Sequence, residues 1–196
     1  MIRIGIVGGI GSGKSYIAKQ FNYPVFNADF EVKKIYKKNK KCFKKLKKKF
    51  PKYIFSFPVK KKELSEAIIK NNYNIKKINK IIHPEVRLRM NEFIKKNRHK
   101  KAVILDIPLL LEGKINRKKD ILLFVDARKK DINRKLKVRN NFNSILFKKL
   151  KKLQLPLEIK KKKSHFILKN NFKSFSVKNS VKILKNRIFK NERSNT

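Results

Sequence analysis

The sequence predicts an α/β fold built on a parallel sheet covered on both faces. Three observations carry this reading. Apolar runs at Ile2–Val7, Pro24–Phe26, Lys101–Pro108, Ile121–Val125 and His165–Leu168 are short and continuous rather than alternating in polarity. Segments of helical spacing separate them, which fits crossover connections between parallel strands. The first run ends in a cluster of glycines, as a buried strand does when it enters a tight loop.

Taken in order, Ile2, Ile4, Ile6 and Val7 form the first strand, and Tyr16–Asn22 follows as a helix with Ile17, Ala18 and Phe21 on one face. Pro24–Phe26 is the second strand, and Asp29 comes just after it. Phe30–Phe50 reads as one basic helical stretch through Val32, Ile35, Tyr36, Phe43, Leu46 and Phe50, ended by Pro51. Glu63–Lys70 and Asn74–Asn97 are helical in pattern, with His83-Pro84 expected to interrupt the second. Strands at Lys101–Pro108 and Ile121–Val125 each lead into an aspartate, Asp106 and Asp126. Lys129–Arg139 is helical, Asn140–Lys163 is lysine-rich around Pro156, and Ser174–Phe189 is a closing amphipathic helix. The stretch 31–98 supplies few strands and reads as a helical insertion beside the sheet.

Composition bounds the function. The 196 residues hold 56 Lys and Arg against 13 Asp and Glu, a net charge of +43. Yet 46 of the basic residues are Lys, and Lys, Asn and Ile together make up 90 positions. All three have A/T-rich codons, so biased coding accounts for the excess as well as selection for a polyanion does. The charge implies weak, salt-sensitive binding to nucleic acid rather than specific reading of it. A hydrophobic content of 40% excludes a disordered polyelectrolyte. Cys42 is the single cysteine, which excludes an internal disulfide and points to a reducing compartment. The N-terminal stretch lacks the parts of a secretory leader, and no apolar run nears the ~18 residues of a membrane span. No Cys/His cluster has zinc-ligand spacing.

Gly8-Gly9-Ile10-Gly11-Ser12-Gly13-Lys14-Ser15 matches the P-loop pattern G-x-x-x-x-G-K-S, with a strand before it and a helix after it. Glycines let the backbone curl so that successive N–H groups face one anion. Lys14 adds a point charge for the β- and γ-phosphates, and the Ser15 hydroxyl suits Mg²⁺. Phosphoryl transfer to an alcohol also needs a carboxylate beside the acceptor, at a strand's carboxyl end. Asp29, Asp106 and Asp126 all qualify, and each is equally suited to a turn or cap. A small-molecule kinase, another P-loop nucleoside or nucleotide kinase, and a nucleic-acid binder with a vestigial loop all fit this much.

The order of further motifs narrows the field. The loop is followed by Asn27-Ala28-Asp29, Ile81-Ile82-His83-Pro84-Glu85-Val86, Asp106-Ile107-Pro108-Leu109-Leu110-Leu111-Glu112, Phe124-Val125-Asp126, and Gln154-Leu155-Pro156-Leu157-Glu158 leading to Phe166–Asn171. In this set the chain resembles the dephospho-CoA kinase family over nearly its whole length. The resemblance implies a P-loop kinase fold, with a five-stranded parallel sheet, a helical substrate-side subdomain and a lid. It implies residues 1–30, 101–138 and 164–196 as nucleotide-binding core, 31–100 as the CoA-side subdomain and 139–163 as the lid. It implies transfer from ATP, with Mg²⁺, to the ribose 3′-hydroxyl of dephospho-CoA by a cytoplasmic, monomeric enzyme.

The same resemblance assigns Asp29, Lys14 and Arg139 to catalysis. It assigns Gly9, Gly11, Ser12, Gly13, Lys14, Ser15, Tyr16 and Asn170 to ATP, and Ser15 to the metal. Asp29, Lys33, His83, Pro84, Arg87, Pro108 and Leu109 fall to the acceptor. The chain departs from the family's usual residues at Asn27 and Asn140, where an acid is usual, at Tyr16 for Thr, at Lys33 for Arg and at Phe172 for Gly. In the lid, Lys148, Lys149, Lys151 and Lys152 stand where the family carries arginines. Glu112 is left between pairing with a lysine and capping a helix.

Overall fold

A computed structural model describes residues 1–138 and 143–193. The five apolar runs form β1 (Ile2–Gly8), β2 (Val25–Asn27), β3 (Ala102–Asp106), β4 (Ile121–Asp126) and β5 (Phe166–Lys169). They join in one parallel sheet in the order β2-β3-β1-β4-β5. β1 is central, pairing Ile6 with Asp106 on one side and Gly8 with Val125 on the other. The connections from β1 and from β3 lead to opposite sides of β1, so the carboxyl end of β1 lies at the sheet's switch point.

The helices are α1 (Lys14–Gln20), α2 (Ala28–Lys38), α3 (Lys40–Lys49), α4 (Lys61–Lys70), α5 (Asn72–Lys96), α6 (Lys129–Lys137), α7 (Ser144–Lys152), α8 (Leu157–Lys162) and α9 (Ser174–Arg193). Among the described residues, no helix is long and apolar enough to cross a membrane. The chain divides into two compact units. One comprises Met1–Phe26, Asn97–Phe142 and Leu153–Thr196, and the other Asn27–Lys96 with Asn143–Lys152.

In the sheet unit, Ile2, Ile4 and Ile6 of β1 bury against Ile17, Ala18 and Phe21 of α1 and Val177, Val181, Leu184 and Ile188 of α9. The odd residues of β1 point to the opposite face, where α8 packs. The helical unit differs from the sequence expectation in two places. Phe30–Phe50 is two helices, because Asn39 takes an extended conformation between them. Its N–H closes α2 on the Ile35 carbonyl, and its Oδ1 accepts the Cys42 N–H at 2.9 Å to open α3. His83-Pro84 does not interrupt α5. Pro84 has no N–H for the Lys80 carbonyl, but the buried stripe Ile75, Ile78, Ile82, Val86 and Met90 runs through it in unbroken register. Tertiary burial holds the helix across the missing bond.

A buried ion pair is anchored in the sheet itself. Arg3 of β1 meets Asp120 Oδ2 at 3.0 Å, with both side chains almost wholly buried. Burial pushes the Arg3 pKa down, against the pull of Asp120. Burial likewise pushes the Asp120 carboxyl up, against the Arg117 N–H and the Arg3 charge. Removing one partner strands the other, whereas removing both does not. Asp120→Ala is therefore expected to cost about 3–5 kcal/mol, read from the urea midpoint at unchanged slope. The joint Arg3→Met/Asp120→Leu change is expected to recover most of that loss.

Candidate active site

The glycine-rich loop leaves β1 at Gly8 and curls into α1. Gly11 and Gly13 sit at φ +82° and +90°, a left-handed backbone that side chains oppose. At both positions space is closed as well. A Cβ on Gly11 would press on Ile132 and Leu136 of α6, and one on Gly13 would fall inside contact distance of the Asn170 amide. The Ser12 N–H bonds the Gly9 carbonyl at 3.2 Å and tightens the curl.

Lys14 is nearly buried and folds back over the loop, donating to the Gly8 and Gly9 carbonyls at 3.2 and 2.7 Å. These carbonyls hold the ammonium inside the loop. The Ser12 hydroxyl is buried in the same loop with no hydrogen-bond partner among the described groups. An orphaned hydroxyl, a pre-placed ammonium and a backbone too tight for any Cβ fit a polyphosphate. Ser15, exposed on the first turn of α1, is a single hydroxyl donor. No described group of three or more His, Cys, Asp or Glu could hold a metal. That donor set suits Mg²⁺ bound chiefly by substrate phosphates and water.

Two expected ATP residues are engaged with the protein. Asn170 is buried at the end of β5. Its Nδ2 donates to the Ser12 carbonyl at 2.8 Å, its Oδ1 accepts the Phe172 N–H, and its own N–H bonds Asp126. It clamps the loop from the end of the edge strand. The Tyr16 hydroxyl bonds Ser174 at 2.6 Å and ties α1 to α9.

Sequence reasoning did not single out the cleft beside the loop. It holds about 630 Å³ and is lined by Arg128, Lys130, Asp131, Arg134, Asn171 and Lys173. Asp131 orders its rim, pairing with Arg128 at 2.8 Å and Arg134 at 3.1 Å. The available signal was an acid on the first turn of a basic helix after Asp126. Pro108 and Leu109 also lie in the sheet unit, half-buried after β3, where Gln154 Nε2 reaches the Pro108 carbonyl.

The helical unit holds the remaining candidates. Asn27 caps α2, its Oδ1 accepting the Phe30 N–H at 2.8 Å. The residue that replaces the family's acid thus keeps an N-cap while losing a charge. The cap sets exposed Asp29 at the second position of α2, by the positive end of the helix dipole. Lys33 follows one turn on and is exposed. Glu31 and Glu85 both grip Arg89, each at 3.2 Å, which fastens α2 to α5, the helix of His83, Pro84 and Arg87. Burial raises the Glu31 pKa, but bonds from Lys34 and Arg89 outweigh it and leave the carboxyl below its usual range. Burial chiefly, and then the Arg87 charge, pushes the His83 pKa down. Lys149 donates to the Ile68 and Ile69 carbonyls at the end of α4, so this lysine caps a helix. Arg139 lies outside the described residues.

A family model described as dephospho-CoA kinase matches residues 2–175. A Wolbachia (Brugia malayi) dephospho-CoA kinase is 31% identical over 184 residues, 91% of this chain and 94% of that protein. A Fusobacterium nucleatum dephospho-CoA kinase is 32% identical, covering 86% and 89%. Among solved structures, a Thermus thermophilus protein superposes with a TM-score of 0.77 at 27% identity, covering 96% and 97%. The Campylobacter jejuni dephospho-CoA kinase, at 21% identity and a TM-score of 0.61 over 95% and 96% of the two chains, shares the fold.

His83 offers a titration with a definite sign. Its folded pKa lies below the unfolded one, so the unfolded chain takes up the proton first as pH falls. Stability from neutral His83 is complete above about 6.5 and is lost as pH drops through the lower folded value. NMR titration is expected to place the midpoint below 6.5. Arg87→Gln is expected to raise it only partway, because burial is the larger cause.

Proposed function

The chain belongs to the dephospho-CoA kinase family, and from that premise we infer how its own residues perform the transfer. The family's reaction moves the terminal phosphoryl group of ATP to dephospho-CoA, giving CoA and ADP. The acceptor oxygen bonds the γ-phosphorus as the bond from that phosphorus to the β,γ-bridging oxygen breaks, and the hydroxyl proton leaves.

In the reading we propose, the loop from Gly8 to Ser15 grips the triphosphate. Lys14 exchanges its carbonyl partners for β- and γ-oxygens and neutralises charge that grows there. Asp29 orients the ribose 3′-hydroxyl and takes its proton. Lys33, His83, Pro84, Arg87, Pro108 and Leu109 bind the acceptor, with His83 acting in its neutral form. Arg139, as the resemblance implies, would add positive charge at the phosphates, and closing the site would keep water out. Mg²⁺, which Ser15 and the phosphates would hold, would supply charge neutralisation during transfer. The cleft at Arg128, Arg134 and Asn171 takes the nucleoside end of ATP, sharing α6 with Gly11. Asn170 and Tyr16 support the loop and α1 rather than touching phosphate. Neither a specific nucleic-acid partner nor a second copy enters this reading, and the reaction belongs to the cytoplasm.

The observation that carries it is the pre-shaped loop with Lys14 already inside. ADP release measured with dephospho-CoA, and with nucleosides and nucleoside monophosphates as competing acceptors, tests it. Turnover is expected with dephospho-CoA alone. Turnover with a nucleoside instead would assign the chain another acceptor. Asp29→Asn is expected to slow transfer about a hundredfold or more at nearly unchanged ATP affinity. Lys14→Ala is expected to abolish turnover in a folded protein.

A further inference from the structure

We propose that the buried Glu112–Lys160 ion pair is a positioning device for the phosphate-binding loop, acting through Leu157. Glu112 stands in the connection after β3, and Lys160 on α8. The Lys160 ammonium lies 2.7 Å from Glu112 Oε1, with side chains 1% and 12% exposed. The same oxygen accepts the Leu155 N–H at 2.8 Å. One carboxylate therefore fixes both the approach to α8 and the helix itself. Between these two fixed points stands Leu157. Its methyl carbons lie 3.5 and 3.8 Å from where a Cβ on Gly9 would sit. Gly9 in turn gives its carbonyl to the Lys14 ammonium and to the Ser12 N–H. The chain of contacts stays within the sheet unit and ends on the group that meets phosphate.

Stability alone gives no reason for this pair. Apolar residues of the same volume fill such a site as well or better, and Glu112 Oε2 is buried with no hydrogen-bond partner among the described groups. Most lysines of this chain sit in water, while this one is taken out of it entirely. What an ion pair adds over an apolar contact is direction. Two charge-assisted bonds to one oxygen hold α8 in a single register, and so hold Leu157 beside Gly9. A loop ordered before ligand arrives does not spend binding energy on ordering. The effect belongs in ATP affinity and not in the rate of transfer.

The inference rests on the family's reaction only for its kinetic readout. Glu112→Gln/Lys160→Met removes both charges at nearly constant length, so neither partner is stranded. Leu157→Ala trims a side chain that is 43% exposed and carries the test alone if the double variant does not fold. ATP affinity is measured by calorimetry on the whole protein, beside kcat, both KM values and Tm. Both variants are expected to weaken ATP roughly tenfold in Kd and KM, with kcat and the dephospho-CoA KM within about twofold. Unchanged ATP affinity in either folded variant, or equal losses for both substrates, would overturn the proposal. If the unsubstituted protein binds ATP but leaves dephospho-CoA unphosphorylated, the reading of the reaction fails, and the ATP affinities still decide the role of the pair.

Discussion

The loop after β1 takes a path that only glycine permits, and the rest of the sheet unit is arranged to keep it there. Positive φ at Gly11 and Gly13 turns the chain back on itself. α6 closes the space beside Gly11, and the Asn170 amide closes it beside Gly13. A buried β1 delivers the loop to the switch point of the sheet, and β5 delivers Asn170 to it. Lys14 is stored inside on two carbonyls. On the reading proposed for the loop, the geometry that receives phosphate is set before phosphate arrives, so binding energy is not spent on ordering it.

Charge is used unevenly. The chain holds 13 acids, and those with partners stand at junctions. Glu31 and Glu85 grip Arg89 between α2 and α5, Glu63 accepts the Phe55 and Ser56 N–H groups and the Ser56 hydroxyl, Asp131 orders the cleft rim, and Glu112 anchors α8. In a chain at +43, Glu31, Glu85 and Glu112 join basic elements that would otherwise repel. The lysines of α3 show the other side. They surround a buried stripe of Cys42 and Leu46 and remain exposed, a solvated face with no geometry of its own.

The loop and the five strands were legible because their signals are local. A fixed glycine spacing, a following lysine and continuous apolar runs each specify backbone without reference to distant residues. What depended on tertiary contact was not legible. Pro84 reads as a break until Ile82 and Val86 are seen buried on either side of it. Asn170 is expected at ATP, and no local pattern signals that its amide also holds the Ser12 carbonyl, 158 positions away. Lys160 and Lys149 look like every other lysine, yet one is buried on Glu112 and the other caps α4. Residues Asn143–Lys152 group with the helical unit and Leu153 onward with the sheet, a division no local signal in the lysine-rich stretch marks. Composition blurs such distinctions, since a residue type used 46 times marks nothing by its presence.

The constraint at Gly13 can be tested by a single methyl group. ATP affinity of Gly13→Ala, measured by calorimetry with far-UV circular dichroism as the check on folding, addresses the loop directly. A left-handed backbone and an occupied neighbour leave that methyl no place, so the protein should remain folded and lose ATP binding by well over tenfold. A folded variant that binds ATP as tightly as the parent would show that the loop's shape is not what holds the triphosphate.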